Sequence, residues 1–302
     1  MKHQYIDIDG VKLHYVAASP HQPRGTIIFL HGFPEYWASW HHQLEYFSHG
    51  FRVIAPDLPG YNLSDKPLDS SFYQLPKLIA FMARFVEEVC QAHRQDEPVY
   101  LVAHDWGGAI AWPLVAFYPQ LFTKLIIINA AHPSTFTREM FINPRQQQKS
   151  HYIHQLTAKD GPAQVKKNDF EFLREMVFAG TTYAVFNEEE KSNYLAAWQQ
   201  PQAVEGMLAY YRMMPQHPPL IRESDGLAAL QSVKIPNIRI TIPTLVLWGE
   251  QDEAFENTIL NGLEEYVPDL AIKRFADASH WLHHEQPENV NKHIAAFICL
   301  VP

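Results

Sequence analysis

The chain contains 302 residues, of which 47% are hydrophobic and 19% are charged, a composition typical of globular proteins. Its 24 basic and 33 acidic side chains give a net charge of −9, which argues against a nucleic-acid-binding protein. Two cysteines, Cys90 and Cys299, are too few for a disulfide framework, and we expect both to be buried free thiols. Neither a signal-peptide core nor an apolar run of about 20 residues is present, so we expect a cytoplasmic protein without a membrane span.

Short apolar runs predict an α/β fold. Asp9-Gly10 is typical of a hairpin turn and joins two predicted strands at 5–9 and 12–17. Unbroken apolar runs then predict strands buried on both faces of a sheet, at 26–30, 52–55, 99–103, 124–129 and 244–248. Helical segments separate the first four of these runs, at 37–47, 75–92 and 108–117. This alternation predicts a mostly parallel, doubly wound sheet of about eight strands with right-handed crossovers.

The alternation stops after Asn129, where the sequence becomes helical, polar and rich in glutamine and aromatic residues. Helical periodicity is found at 170–178, 188–198 and 203–213, followed by a proline-rich linker at 215–243. A helix at 257–266, a strand at 271–275 and a helix at 287–298 complete the predicted elements. We therefore divide the chain into a first core part (1–133), an inserted helical cap (134–216) and a linker with the second core part (217–302).

The segment around Asp105 is the strongest candidate for a nucleophile. The predicted strand at 99–103 runs directly into His104-Asp105-Trp106-Gly107-Gly108 and then into a helix. Small residues at this junction permit a tight corner that presents the Asp105 side chain, where a serine hydrolase would have Ser. A carboxylate is ionised without help from a base and can attack an sp³ carbon to form an alkyl ester. The simpler interpretation, a helix N-cap, does not explain the small residues.

Backbone donors for an oxyanion are expected on both sides of this nucleophile. His31-Gly32-Phe33-Pro34 follows the strand at 26–30, and Gly32 permits a turn that directs the Phe33 N–H inward. The N–H groups of Phe33 and Trp106 are the predicted oxyanion hole. We expect the neighbouring residues to contribute to the substrate pocket; these are His31, Gly32, Pro34 and His104.

A general base and its acidic partner follow later in the chain. His280 comes after the last predicted strand and would activate water to hydrolyse the ester. Asp252, just past the strand at 244–248, would orient the imidazole, with Glu250 as its nearest rival. His283, His284 and Glu285 lack the spacing of a common zinc motif, so we expect no metal and no cofactor.

Taken together, these motifs resemble the epoxide hydrolase branch of the α/β-hydrolase fold over nearly the whole chain. The resemblance implies that two cap tyrosines hydrogen-bond the epoxide oxygen, and it indicates Tyr152 and Tyr211 for this role. Both are also compatible with ordinary buried tyrosines of a helical cap. The chain departs from its relatives at Pro59, where Arg is usual, and at Asn62, where Gly is usual. His151 replaces an aromatic residue or Gln.

Three functions remain open at this point. The first is epoxide hydrolysis, with an apolar or amphipathic epoxide and water as reactants; a homodimer is compatible with it but not required. The second is haloalkane or haloacid dehalogenation by the same triad. Phe33 and Trp106 argue against it, because dehalogenases of this fold commonly carry Asn or Arg there. The third is a non-catalytic binding protein, which would not need every reacting group.

Overall fold

The chain begins with a hairpin. The computed structural model describes residues 1–91, 97–218 and 234–299. Strands β1 (Lys2–Ile8) and β2 (Val11–Ala18) pair antiparallel, with Ile8 opposite Val11. Asp9 and Gly10 connect them with φ angles of 54° and 80°. This left-handed pair is typical of a two-residue hairpin turn and confirms the turn predicted from Asp9-Gly10.

The hairpin continues into one eight-stranded sheet, ordered β1-β2-β4-β3-β5-β6-β7-β8. The strands that follow the hairpin are β3 (Thr26–Leu30), β4 (Arg52–Pro56), β5 (Val99–His104), β6 (Lys124–Ile128), β7 (Thr244–Gly249) and β8 (Leu270–Phe275). β2 pairs antiparallel with β4, and every later pairing is parallel. The predicted mostly parallel, eight-stranded α/β sheet is thus confirmed.

Helices cover both faces of the sheet. Between the first strands lie α1 (His41–Ser48), α2 (Leu75–Gln91) and α3 (Asp105–Phe117). In the described part of the segment between β6 and β7 lie six further helices, which are α4 (Pro133–Ile142), α5 (Pro144–Lys149), α6 (Tyr152–Thr157), α7 (Gly161–Arg174), α8 (Glu188–Trp198) and α9 (Ala203–Met213). After β8 come α10 (Leu282–Glu285) and α11 (Pro287–Cys299). None of the helices in the described residues is long and apolar enough to cross a membrane.

Two helix predictions are wrong in part. The segment predicted as a helix at 257–266 forms two 3₁₀ turns, Asn257–Leu260 and Leu263–Glu265, because Gly262 lies between them with φ 74°. The segment at 170–178 instead spans the end of α7 and a π-helical turn, Glu175–Ala179, and Phe170 has φ 59°. A left-handed residue interrupts a right-handed helix whatever its side-chain periodicity, so the pattern alone could not show these breaks.

The core consists of two apolar layers, one on each face of the sheet. One layer joins Phe29 and Leu247 of the sheet to Leu44 of α1 and Ile294 of α11. The other contains residues of α2, α3, α6, α7, α8 and α9. Of the two cysteines, Cys90 is partly buried and Cys299 is exposed, so the expectation of two buried thiols is wrong for Cys299.

The junction between β3 and α3 gives a stability prediction. A Cβ atom on Gly107 would lie 2.3 Å from Leu30 O and 2.6 Å from His31 O, both of which are backbone atoms. Gly107→Ala should therefore lower the free energy of unfolding by about 3 kcal/mol or more, measured by urea denaturation. At Gly10, φ is 80° and no atom lies within 4 Å of the position a Cβ would take. Gly10→Ala should therefore cost only about 1–2 kcal/mol. An equal loss in the free energy of unfolding for the two variants would contradict the predicted steric clash at Gly107.

Candidate active site

The sheet topology places the ends of β3 and β5 side by side. The chain leaves β3 toward β4 on one side and later reaches β5 on the other, so a topological switch point lies between them. Ligands of open α/β sheets bind beyond the carboxyl ends of the strands at such a point. Asp105 lies there, at the first position of α3, with φ 47°. A Cβ on Gly32 would lie 2.4 Å from Asp105 Cβ, so glycine is required at position 32.

The Asp105 carboxylate has two different neighbours. Its Oδ1 accepts a 2.7 Å hydrogen bond from the Phe33 N–H. Its Oδ2 lies 3.7 Å from His280 Nε2. The N–H of Phe33, a predicted oxyanion-hole donor, therefore contacts the carboxylate of the predicted nucleophile. Trp106 follows Asp105 in the first turn of α3, and its side chain lines a cavity beside the carboxylate.

His280 is paired with Asp252 on the far side of its ring. His280 Nδ1 donates to Asp252 Oδ2 across 2.8 Å. The backbone N–H groups of Ala254 and Phe255 donate to Asp252 Oδ1 at 2.7 and 2.9 Å. The Asn129 amide donates to Oδ2 at 2.7 Å, so four donors hold a carboxylate that is 1% exposed. A buried charge held this firmly can orient the imidazole.

Glu250, the rival for this role, points elsewhere. Glu250 Oε1 lies 3.1 Å from the Arg274 guanidinium in an exposed ion pair. Among the described residues, Asp252 is the carboxylate that contacts His280 Nδ1, while Asp105 faces its Nε2. The imidazole thus lies between two acids.

These charges shift the pKa values of the site. Burial alone would lower the pKa of His280, but the charge and hydrogen bond of Asp252, with the charges of Asp105 and Glu35, raise it to about 9. Burial would raise the pKa of Asp252, but the charge of His280 and the hydrogen bonds it accepts lower it below the ordinary value. The free site at neutral pH therefore holds a protonated imidazole beside ionised Asp252.

Tyr152 and Tyr211 line two cavities beside Asp105. One has apolar walls that include Trp106 and Phe136. The other contains His280. Asp105, Tyr152 and Tyr211 line both. Burial, with the charge of Asp105 as a further cause, raises the pKa of both phenols above its ordinary value, so they keep their protons and can donate.

The four residues expected to contribute to the pocket do not line either cavity described above. His31 is fully buried, accepts from the Leu58 N–H at 2.9 Å and bonds Gly32 O at 2.9 Å. His104 is also fully buried, behind His280. Gly32 and Pro34 belong to the turn that positions Phe33. The expectation is corrected accordingly: these residues support the site from behind, because their polar atoms are used within the core.

Several residues of the site were not predicted as such. Asn129 cannot ionise and was not predicted to belong to the site, but its amide links Asp252 to Gly249 through hydrogen bonds of 2.7–3.1 Å. The signal in the sequence was an Asn directly after a predicted strand, since Asn is among the few residues that readily adopt a left-handed conformation, and Asn129 has φ 39°. The cavity walls formed by Phe136, Phe172 and Met176 depend on helix packing, which the sequence pattern does not specify.

Comparisons with known proteins agree with this geometry. Residues 25–287 match the family described as the alpha/beta hydrolase fold. The chain is 34% identical to the AB hydrolase superfamily protein YfhM of Bacillus subtilis, covering 99% of this chain and 98% of that protein. It is 33% identical to Epoxide hydrolase 4 of Mus musculus, covering 98% of this chain and 79% of that protein.

A solved structure is similar over its whole length. A mutant epoxide hydrolase from Bacillus megaterium, complexed with its product (R)-3-[1]naphthyloxy-propane-1,2-diol, superposes with a TM-score of 0.86 at 32% identity. The match covers 98% of this chain and 99% of that one. The chain belongs to the α/β-hydrolase family. Within that family it is an epoxide hydrolase-like enzyme.

The charges around His280 give a prediction about its titration. Asp105→Asn removes one negative charge and should lower the pKa of His280 below its value of about 9. Asp252→Asn should lower the pKa further, because Asp252 contributes both charge and a hydrogen bond. Titration of the His280 ring by NMR measures both shifts. A pKa that both variants leave unchanged would contradict the electrostatic account.

Proposed function

We propose that the protein hydrolyses epoxides to vicinal diols through an alkyl-enzyme ester on Asp105. The observation that carries the proposal is the placement of Asp105 between two proton-bearing phenols and a His280–Asp252 pair. The bound diol of the Bacillus megaterium relative supports the same reaction class. The reactants would be an apolar or amphipathic epoxide and water, since apolar side chains form most of the walls of the cavity that contains Trp106 and Phe136.

In the first step, Asp105 Oδ2 attacks an epoxide carbon and the carbon–oxygen bond of the ring breaks. Oδ1 is held by the Phe33 N–H, which leaves Oδ2 as the attacking oxygen. The bond electrons pass to the epoxide oxygen, where Tyr152 and Tyr211 would donate hydrogen bonds to the developing alkoxide. Stabilising charge as it develops is among the largest effects available to an enzyme.

In the second step, His280 takes a proton from water and the resulting hydroxide attacks Cγ of the Asp105 ester. Ester formation removes the negative charge that helped to raise the His280 pKa, so the imidazole releases its proton at this stage and becomes a free base. That proton replaces the one that the alkoxide of the first step takes from a phenol. Charge then develops on Oδ1, beside the Phe33 N–H and the proposed Trp106 N–H. Collapse of this intermediate breaks the ester bond, and the departing alkoxide takes the proton of the added hydroxyl group. Asp105 is thereby regenerated as a carboxylate and the diol is released.

Removing the base should trap the intermediate. In His280→Gln, attack by Asp105 can proceed but water activation cannot, so steady-state turnover should fall by about 10³-fold or more. Intact-protein mass spectrometry after mixing with an epoxide should show one adduct per chain, mapped to Asp105 by peptide analysis. The double variant that also carries Asp105→Ala is the matched control and should show none.

An absence of adduct in His280→Gln, with wild-type turnover intact, would contradict the ester mechanism. The wild-type protein, assayed with an epoxide and with its halogenated counterpart, should produce diol and no halide. Halide release without diol formation would instead support a dehalogenase.

The two phenols should act on the first step alone. Tyr152→Phe or Tyr211→Phe removes one donor to the alkoxide, which should slow adduct formation by about 10²–10³-fold. Hydrolysis of the ester, followed in the same single-turnover experiment, should change little. Tyr46→Phe, at an exposed site on α1, is the control and should alter neither step. Unchanged adduct formation in both cap variants would exclude the proposed donors.

A further inference from the structure

The acid of the site, Asp252, belongs to a loop without helical or strand hydrogen bonding. This loop, residues 252–255, lies between β7 and the 3₁₀ turn Asn257–Leu260. Within the described residues, none of its backbone N–H or C=O groups bonds to another backbone group. Backbone polar groups away from water need partners, so side chains must supply them here. We call residues 252–255 the acid loop.

Part of this support comes from Asp252 itself. Its Oδ1 accepts from the N–H groups of Ala254 and Phe255. Its Oδ2 faces His280 Nδ1. The direction of the carboxylate is therefore tied to the shape of the loop backbone, and a change in that backbone would move the carboxylate relative to the imidazole.

Gln146 of α5 supplies further support. It is fully buried, and its amide contacts backbone groups at the end of the acid loop and just after it. Its Nε2 donates to Ala254 O at 2.9 Å, and its Oε1 accepts from the Glu256 N–H at 2.8 Å. Nε2 also donates to the Ser150 hydroxyl at 2.9 Å. Both hydrogens and the carbonyl oxygen of this amide are thus used, which fixes its orientation.

Lys149, three residues further along α5, holds the two ends of the acid loop. Its ammonium group donates to Asp252 O and, at 3.1 Å, to Phe255 O. The same group lies 3.3 Å from Glu256 Oε1. Together with Gln146, it binds three of the four carbonyl groups of the loop. A single cation bound to both ends of a loop fixes the separation of those ends.

We propose that Gln146 and Lys149 are positioning residues for ester hydrolysis, a role that rests on the function proposed above. They act through the acid loop, which they hold so that Asp252 stays against His280 Nδ1. The helix that carries them, α5, leads directly into α6, which begins at Tyr152. The position of this one segment on the core therefore affects a phenol for the first step and the acid for the second.

Single-turnover measurements distinguish this role from a merely structural one. Gln146→Met and Lys149→Met remove the hydrogen bonds with little change in side-chain size. Each should slow hydrolysis of the Asp105 ester by about 10–100-fold and change adduct formation by less than about threefold, because a small displacement of a catalytic pair is costly. Lys149→Arg keeps the donors and should restore most of the rate. Intact-protein mass spectrometry of quenched samples measures both steps.

The chain offers a matched control for each variant. Gln147→Met is the control for Gln146→Met, because Gln147 is the next residue of α5 and its Nε2 donates to two carbonyl groups of α4 at 3.0 and 3.3 Å. Lys191→Met is the control for Lys149→Met, because the Lys191 ammonium pairs with an acid of its own helix, α8, at 2.7 Å. Both controls should hydrolyse the ester at the wild-type rate.

Titration of the His280 ring by NMR tests the same placement without any epoxide. An acid loop that relaxes carries Asp252 away from the imidazole, so the pKa of His280 should fall below its value of about 9 in both Met variants. The two controls should leave this pKa unchanged. If Gln146→Met does not fold, Lys149→Met still provides the test, since that side chain is 25% exposed.

Three results would overturn the inference. One is a His280 pKa that stays at the wild-type value in both Met variants, and another is ester hydrolysis at the wild-type rate in both. The third is adduct formation that slows as much as hydrolysis, which would assign the two residues to the support of Tyr152 instead. A wild type that forms no adduct with epoxides would reject the proposed function, and the titration would still test how Asp252 is held.

Discussion

One residue in a left-handed backbone conformation, Asp105, determines where every other group of the site must lie. Such a conformation costs about 1–3 kcal/mol outside glycine and persists only where the surroundings enforce it. Here close packing enforces it, because the backbone around Asp105 is packed so tightly that positions 32 and 107 have no room for a Cβ atom and are both glycine. The result is a carboxylate fixed beyond the sheet at its switch point. Phe33, His280 and the two cap tyrosines all take their positions relative to it.

Around this fixed carboxylate, the electrostatics of the site change during the proposed reaction. Asp252 keeps its charge throughout, held by Asn129 and two backbone N–H groups. Asp105 loses its charge when the ester forms. Since both charges hold the proton on His280, the imidazole is most acidic at the stage when a free base is needed. Thus the covalent step itself prepares the base for the step that follows.

Burial patterns made most of the sheet predictable. The run at 26–30 matches β3, and the helices at 188–198 and 203–213 match α8 and α9. The pattern failed where one backbone angle decides the outcome, as at Gly262 and Phe170. Side-chain periodicity indicates which face of a helix or strand is buried, but it does not specify the φ angle of an individual residue.

The site was predictable to the extent that its chemistry lies in local motifs. Asp105 and His280 each follow a recognisable strand and were identified from it. Asn129 was missed because its role depends on a contact with Asp252, which lies 123 positions away. His31 and His104 were placed in the pocket because they flank it in sequence, whereas the fold turns both rings into the core. The division of the chain into core and cap stays a prediction.

The helices between β6 and β7 are fastened to the rest of the protein close to the reacting groups. The Trp198 indole donates a hydrogen bond to the carbonyl oxygen of Pro34, the residue after Phe33. The hydroxyl of Tyr210, the residue before Tyr211, donates a hydrogen bond to the carbonyl oxygen of Pro59. In the proposed reaction these helices supply groups for ring opening, while the groups that react in ester hydrolysis lie outside them. In that reaction, substitutions in α6–α9 would therefore change which epoxide is opened and leave the ester-hydrolysing residues unchanged.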